Sequence, residues 1–232
     1  MNTSIYKPQF QKRVLSKSLA LFSLLALVAV PIVVSAITYS PPITINNPTP
    51  AESDIFGQFV SIDGNKFVVG ASSDDTGATN AGSAYLYDTM GVLLQTFNNP
   101  TPGYSDKFGW SVSISGDRVL IAAPGNDIGS GNVGSAYLFD ATTGALLQTF
   151  NNPTPEINDV FGHSVSISGD KVLIGAPRDK TGAFDAGSAY LYNATTGALL
   201  QTFNTPTPAY TDYFGWSVSI SGDKVLIGAI YD

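Results

Sequence analysis

The sequence predicts an all-β protein built as a tandem array of four-stranded units, arranged as the blades of a β-propeller. Three observations predict this class. A repeat of 52–53 residues runs through the chain, each repeat holds four segments with strand periodicity, and 23 Gly and 14 Pro interrupt them. No helical periodicity follows residue 36. The 44% hydrophobic content is enough for a folded core.

The repeat is marked by the motif Asn-Asn-Pro-Thr-Pro. The motif recurs at offsets of 52, 53 and 53 residues, beginning at Asn46, Asn98, Asn151 and, in a variant form, Asn204. The one length change falls in a turn, where it leaves strand register untouched. We expect a lead strand or linker over 37–45, complete repeats over 46–97, 98–150 and 151–203, and a partial repeat over 204–232.

The second repeat shows the strand pattern. Val112 and Ile114 alternate with serines, the period of a strand with one apolar face. A Ser-Gly-Asp turn follows, in which Gly116 can supply a positive φ. The next strand is apolar at nearly every position, which predicts that both of its faces are covered. The four strands are expected at 108–115, 118–123, 134–139 and 145–150.

Such a unit cannot bury both faces of its sheet alone, whereas radial stacking of the units does so. Three full units and half of a fourth give about three and a half blades, fewer than the roughly 4–8 blades of closed propellers. The segment Pro42–Ile45 aligns with the last strand of a repeat and could contribute to another blade. We therefore expect an incomplete propeller and a piece of a longer protein.

Residues 1–36 have the three parts of a secretory signal. Basic residues end at Lys17, an uncharged apolar run extends to Ala36, and Val34-Ser35-Ala36 places small residues at a cleavage site. The sequence predicts an N-terminal hydrophobic helix cleaved after Ala36. The alternative is a retained signal anchor, since 19 uncharged residues nearly span a hydrocarbon core of about 30 Å. Both place the rest of the chain outside the cell, secreted or at its surface.

The charge of the exported part excludes some partners. From Ile37 onward there are seven basic and eighteen acidic residues. An acidic surface of this size argues against nucleic acid and gives no attraction to anionic membranes. With no cysteine, the chain can form neither a disulfide nor a thiolate metal site.

The recurring Phe-Gly dipeptides resemble those of the FG-GAP repeat family, the blade type of integrin α-chain propellers and of many prokaryotic surface proteins. They occur at 56, 108, 161 and 214, each preceded by Asp at the second position upstream. The distal half of each motif reads Val-Gly-Ala, Ile-Ala-Ala or Ile-Gly-Ala. The resemblance implies a propeller fold, and for many members a calcium loop between the first two strands. Here that link is a short Ser-Gly-Asp or Asp-Gly-Asn turn, so we expect no metal and no cofactor.

The loops between the second and third strands are the candidate ligand-binding loops, because they are the most polar and most variable part of the repeat. In a propeller they lie at one rim, where acidic and amide side chains could contact a cation or a sugar. The alternative is that these residues form turns by bonding their own backbone. The candidate residues are Asp74, Asp75, Asn126, Asp127 and Asp179.

No catalytic constellation is visible in the sequence. His163, the single histidine, occupies the repeat position of Trp110 and Trp216 and has no nucleophile or second ligand beside it. The leading hypothesis is therefore an extracellular recognition or adhesion module for a protein or glycan. The alternatives are a structural element of a surface layer or larger exported protein, and an exported propeller enzyme whose active site lies in a missing part of the chain.

Overall fold

The computed structural model of this protein describes residues 42–127 and 131–232. The predicted signal helix, its cleavage at Ala36 and the alternative anchor lie outside these residues. Within them, no helix is long and apolar enough to cross a membrane. The part of the chain from Pro42 onward is one compact unit.

Fourteen strands occur in the described residues, and each pairs with the next one along the chain within its sheet. Blade 1 contains β1 to β4, blade 2 contains β5 to β8, blade 3 contains β9 to β12, and β13 and β14 form the described part of blade 4. The bounds are β1 Phe56–Asp63, β2 Lys66–Ala71, β3 Ser83–Asp88, β4 Leu93–Asn98, β5 Ser111–Ser115, β6 Arg118–Ala123, β7 Ser135–Asp140, β8 Leu146–Asn151, β9 Ser164–Ser168, β10 Lys171–Ala176, β11 Ser188–Asn193, β12 Leu199–Asn204, β13 Ser217–Ser221 and β14 Lys224–Gly228.

The expected all-β array of four-stranded, blade-like sheets is confirmed. The four predicted strands of the second repeat are present, although β5 begins three residues later than expected, because Phe108 and Gly109 form a turn. Pro42–Ile45 forms no strand. Ile45 instead packs against the aromatic cluster of blade 1.

The core lies between successive blades. One apolar cluster joins β2, β3 and β4 of blade 1 to blade 2, and a second joins blade 2 to blade 3 in the same way. The second strands of blades 2 and 3 are buried on both faces, as their unbroken apolar sequence predicts, whereas β14 of blade 4 stays largely uncovered. Phe108 and Phe161 are fully buried, whereas Phe56 and Phe214 are only half-buried because they belong to the first and last described blades.

The first strands of successive blades contact one another through a ladder of serine side chains. The amide N–H of Ile167 in β9 donates to Ser113 Oγ in β5 (3.2 Å), and that of Ile220 in β13 donates to Ser166 Oγ (3.1 Å). Ile114 likewise donates to Ser61 Oγ (3.2 Å). In blades 2, 3 and 4 the first strand forms the inner edge of the sheet and has no neighbouring strand there, and the preceding blade pairs N–H groups along that edge. We call these contacts the serine ladder.

Charged side chains also join the blades at the first turn. Lys66 Nζ lies 2.7 Å from Asp117 Oδ1 of the next blade, and Lys171 pairs in the same way with Asp223. These turns are where the resemblance implied a calcium loop, and in two of them the carboxylate is paired with a lysine. The pairs are exposed to solvent, so each contributes little to the stability of the fold.

The leading face of blade 1 is uncovered in the described part of the chain. Val60 and Ile62 are 63% and 67% exposed, whereas the equivalent Val112 and Ile114 of blade 2 are 7% and 5% exposed beneath blade 1. An apolar recess of about 560 Å³ lies on this face. The described residues therefore form an open array and not a closed ring.

The Phe-Gly dipeptide has a steric reason for its glycine. Gly109 has φ +87°, and a Cβ atom there would lie 2.3 Å from Ser83 O of the preceding blade. Gly116, in the exposed turn after β5, also has a positive φ of +57°, but a Cβ atom there would meet nothing within 4 Å. Both positions need the left-handed backbone, and only Gly109 also needs the missing side chain.

We expect Gly109→Ala to lower the free energy of unfolding by about 1–3 kcal/mol more than Gly116→Ala does. The matched variant carries the left-handed backbone penalty of about 1–2 kcal/mol alone, whereas Gly109→Ala adds a clash between blades. Chemical denaturation of the two full-length variants measures the difference. Equal losses would show that the blades are not packed as closely as the structure has them.

Candidate functional site

One rim of the array carries the chemically diverse side chains. It is formed by the loops between the second and third strands and by the loops that join one blade to the next, and we call it the loop rim. All five residues predicted from the sequence lie in these loops. The structure gives them two different environments.

Three of the predicted residues are buried and hold the loops together: Asp74, Asn126 and Asp179. Asp74 Oδ2 accepts hydrogen bonds from Tyr85 OH (2.9 Å) and Thr49 Oγ1 (3.0 Å). Asn126 Nδ2 donates to Tyr137 OH (2.8 Å), and Asp179 accepts from Tyr190 OH and from Thr154. Each therefore ties its loop to the third strand and to the blade-joining loop.

The pKa values of Asp74 and Tyr85 reflect their burial and the hydrogen bonds that they make. Burial alone would raise the pKa of Asp74, but hydrogen bonds from two threonines and Tyr85 outweigh it and hold that pKa below its usual value. Burial, together with the neighbouring Asp74 carboxylate, raises the pKa of Tyr85 to about 12. The Asp74 carboxylate is therefore an acceptor for internal donors.

The other two predicted residues, Asp75 and Asp127, are exposed. Each carboxylate accepts one backbone N–H within its own loop, from Asn80 (2.8 Å) and Asn132 respectively. Asp127 lines a recess of about 390 Å³ together with Asn126 and Tyr137. Ligand binding by these loops stays a prediction, and Asp75 and Asp127 are the residues with carboxylate surface available for it.

The Asp that precedes each Phe-Gly has a structural role, as expected for a residue placed identically in every repeat. Asp106 Oδ2 accepts hydrogen bonds from Asn99 Nδ2 (2.7 Å) and Gly103 N (2.6 Å). Its neighbours Ser105 and Lys107 have φ of 59° and 60°, and the same left-handed pair flanks the Asp in the other three repeats. The carboxylate fixes this strained backbone where it joins two blades.

The described residues contain no group of three or more His, Asp or Glu side chains placed to hold a metal ion. The expectation that the chain needs no calcium is not tested by this geometry.

A slot on the loop rim is the best-formed candidate site. It has a volume of about 320 Å³ and lies between the ends of blades 2, 3 and 4. Three aromatic side chains from equivalent repeat positions line it in a row. Trp110 and His163 have ring centroids 6.0 Å apart, and His163 and Trp216 are 4.3 Å apart. We call this feature the aromatic slot.

His163 sits in this row as a neutral ring. Its Nδ1 lies 3.1 Å from the Trp216 carbonyl oxygen, for which the ring must be protonated at Nδ1. Burial lowers the pKa of His163, and the positive charge of Arg178 lowers it further. The imidazole therefore stays uncharged at neutral pH and packs as an aromatic ring, in agreement with the interpretation of His163 as a substitute for Trp.

Polar groups surround the aromatic row. Lys107 and Arg178 line the slot, and Lys107 Nζ lies 5.5 Å above the centroid of the Trp110 ring. Asn132 Nδ2 donates to Asn158 Oδ1 (3.2 Å) across its edge. An apolar floor with a few convergent polar groups is typical of small-ligand sites, and its volume falls at the lower end of their range of about 300–1,000 Å³.

The sequence profile of the FG-GAP repeat matches residues 49–87, 103–139, 155–192 and 208–232, more than half of the chain. The chain belongs to the FG-GAP repeat family. The matched segments of this FG-GAP protein contain the inner three strands of each complete blade and the described strands of blade 4.

Among solved structures, the FG-GAP chain is similar to the computationally designed Ika8 protein, with 16% identity and a TM-score of 0.48. The match covers 74% of this chain and 42% of the designed one, so this chain spans less than half of that protein's length. No curated protein matches the sequence.

The aromatic slot was missed by sequence analysis. Trp110, His163 and Trp216 were recognised as equivalent, and their spacing of 53 residues was the available signal. What the sequence did not show is that the first strands stand side by side, which brings equivalent positions of successive blades within ring contact. Lys107 and Arg178 gave no signal, since neither recurs in the repeat.

We expect the buried Asp159 to make the stability of this protein depend on pH. Burial raises its pKa to about 6; the Glu156 N–H and Lys180 oppose the rise, and nearby carboxylates add to it. The folded state thus keeps this proton at pH values where the unfolded chain, with a pKa near about 3.9, has lost it. The stability that this bound proton gives to the folded state is fully present below about pH 4 and is lost as pH rises through about 6.

Asp159→Asn carries no such proton, so its stability lacks this dependence on pH. The difference in melting temperature, variant minus wild type, should therefore become more positive between about pH 4 and pH 7. Glu156→Gln removes an exposed carboxylate from the same loop but keeps Asp159, so its difference from wild type should change far less over this pH range. A difference that stays flat across this range for Asp159→Asn would contradict a proton held on the buried carboxyl.

Proposed function

We propose that this FG-GAP protein is an extracellular or cell-surface recognition module, an incomplete or partial β-propeller that binds a glycan or protein ligand on its loop rim without catalysing a reaction. The observation that carries the proposal is the aromatic slot, where three adjacent, mutually tilted aromatic rings lie beside two cationic and two amide side chains. Exposed aromatic side chains beside polar groups are enriched where proteins bind ligands.

Two further features support this role. The basic N-terminus and apolar run of residues 1–36 support export and give the rim an extracellular setting. Nδ1 of the slot's histidine is bonded to a backbone carbonyl, and no acidic residue is among the described lining, so no carboxylate orients this histidine as in a catalytic triad. This supports binding over catalysis.

The alternative role, a structural element of a larger exported assembly, is favoured by the uncovered face of blade 1. Val60 and Ile62 expose apolar surface that the equivalent residues of other blades bury against a neighbour. Exposed apolar faces of this kind mark contact surfaces. A purely structural element would bind no ligand through the loop rim, so one binding experiment separates the two roles.

We expect the full-length protein to be retained on an array of immobilised extracellular oligosaccharides and matrix proteins, and Trp216→Ala to lose that retention. Trp216 is 39% exposed in the slot, and Leu94→Ala is the matched control because Leu94 is 41% exposed on the outer strand β4. The double variant Asp75→Ala/Asp127→Ala tests the loops predicted from the sequence.

Loss of retention in Trp216→Ala alone would locate recognition in the aromatic slot, and loss in the Asp double variant alone would locate it in the predicted loops. Retention of nothing on the array, or retention that all three variants leave unchanged, would contradict recognition by the loop rim and favour the structural role.

A further inference from the structure

The charge of the aromatic slot differs in sign from the charge of the protein. The exported part of the chain is acidic, yet none of the described residues that line the slot is Asp or Glu. Lys107 and Arg178 both line it. A positive recess in an acidic domain attracts an anion locally while the rest of the surface repels one.

The two slot cations also differ from most other basic residues of the described chain. Lys66, Lys171 and Lys180 each form an ion pair with an acidic side chain. Arg118 donates to Gly169 O (3.2 Å) and Thr195 Oγ1 (3.0 Å) of the next blade. Among the acidic residues described, none pairs with Lys107 or Arg178, so both charges remain available to a ligand.

The aromatic row indicates the kind of molecule that carries the anionic group, because aromatic rings favour a ligand with an apolar face. Trp110, His163 and Trp216 follow one another along the slot as mutually tilted rings, and aromatic rings of this kind pack on the apolar face of a sugar ring. Asn132 and Asn158 use one donor and one acceptor on each other, which leaves Asn132 Oδ1 and Asn158 Nδ2 for hydroxyl groups. Stacking, hydroxyl bonding and cation pairing thus converge in one recess.

An extended acidic peptide fits the slot less well. A peptide that binds in extended form is held mainly by main-chain hydrogen bonds along an exposed strand edge. Pro124 and Pro177 follow the second strands of blades 2 and 3 at the slot and have no N–H to offer. The inner strand edges between these blades are already paired by the serine ladder.

We propose that the aromatic slot binds an acidic saccharide, a hexuronate unit of an extracellular polysaccharide whose carboxylate pairs with Arg178 and Lys107 while its ring stacks on the tryptophans. This inference rests on the proposed recognition function and names the ligand class of the same site. A volume of about 320 Å³ is enough for roughly one or two pyranose rings.

The protein carries its own reporter for this site, because its two tryptophans, Trp110 and Trp216, both line the slot. Titration of the full chain with a galacturonic acid trimer should change the tryptophan emission saturably. Arg178→Gln should weaken the fitted affinity about tenfold or more, the usual effect of losing a charge-assisted hydrogen bond. Lys224→Gln, an exposed change on β14 outside the slot, should leave it unchanged.

The methyl ester of the same trimer is the matched ligand, since it keeps the rings and hydroxyls and removes the charge. We expect it to bind about tenfold or more weakly, and wild-type binding of the acid to weaken as salt is added. Equal binding of acid and ester would overturn the acidic class while leaving recognition by the slot intact. Tighter binding of hexaglutamate than of the trimer would overturn the choice of a saccharide.

An unchanged emission with both forms of the trimer would also overturn the hexuronate inference. If the array then still retained wild type and not Trp216→Ala, the recognition function would stand with a different ligand class. Failure of both experiments would remove the function itself.

Discussion

The fold depends on how the inner edge of each sheet satisfies its backbone. A first strand pairs with the second strand on one side only. The N–H groups on its other side would otherwise lack partners, at a cost of about 1–3 kcal/mol for each one that is buried. The serine ladder removes that cost, because Ser113 Oγ and Ser166 Oγ accept the amides of Ile167 and Ile220 of the following blades. The repeated alternation of serine with Val and Ile thus encodes contacts on both faces of the strand.

The ladder also explains the geometry of the aromatic slot. Trp110 and Trp216 each come directly before the first serine of their strand, as does His163. Because the ladder sets successive first strands side by side in fixed register, it brings these three positions into line. Blade 1 departs from the pattern, since Gln58 holds the position equivalent to Trp110 and Phe59 replaces the first serine. The ring centroids of Phe59 and Trp110 lie 5.8 Å apart. The row therefore begins at blade 2.

Much of the fold was predictable from the sequence because the repeat supplies its own register. The four strands per unit and the doubly covered second strands of blades 2 and 3 follow from local pattern. The half-burial of Phe56 and Phe214 was not predictable, since burial of a repeat residue depends on whether a neighbouring blade covers it. The position of Pro42–Ile45 also depended on packing and not on its alignment with a strand.

The candidate site was less accessible to sequence reasoning. Polarity and variability pointed to the loops of Asp74, Asp127 and Asp179, but Asp74 and Asp179 are acceptors for buried tyrosine hydroxyls. A carboxylate in a polar loop has the same sequence appearance whether it faces solvent or a tyrosine on the next strand. The aromatic slot, in contrast, is built from three blades and exists only once the first strands are stacked.

The most direct test of the serine ladder is hydrogen exchange at the amide of Ile167, measured by NMR in wild type and in Ser113→Ala. The ladder predicts a protected amide that exchanges about two- to tenfold faster in the variant, while the amide of Ile174, in the central strand β10, is unchanged. An Ile167 amide equally protected in both proteins would show that the serine hydroxyl does not pair the inner edge and would contradict this account of how the blades are held.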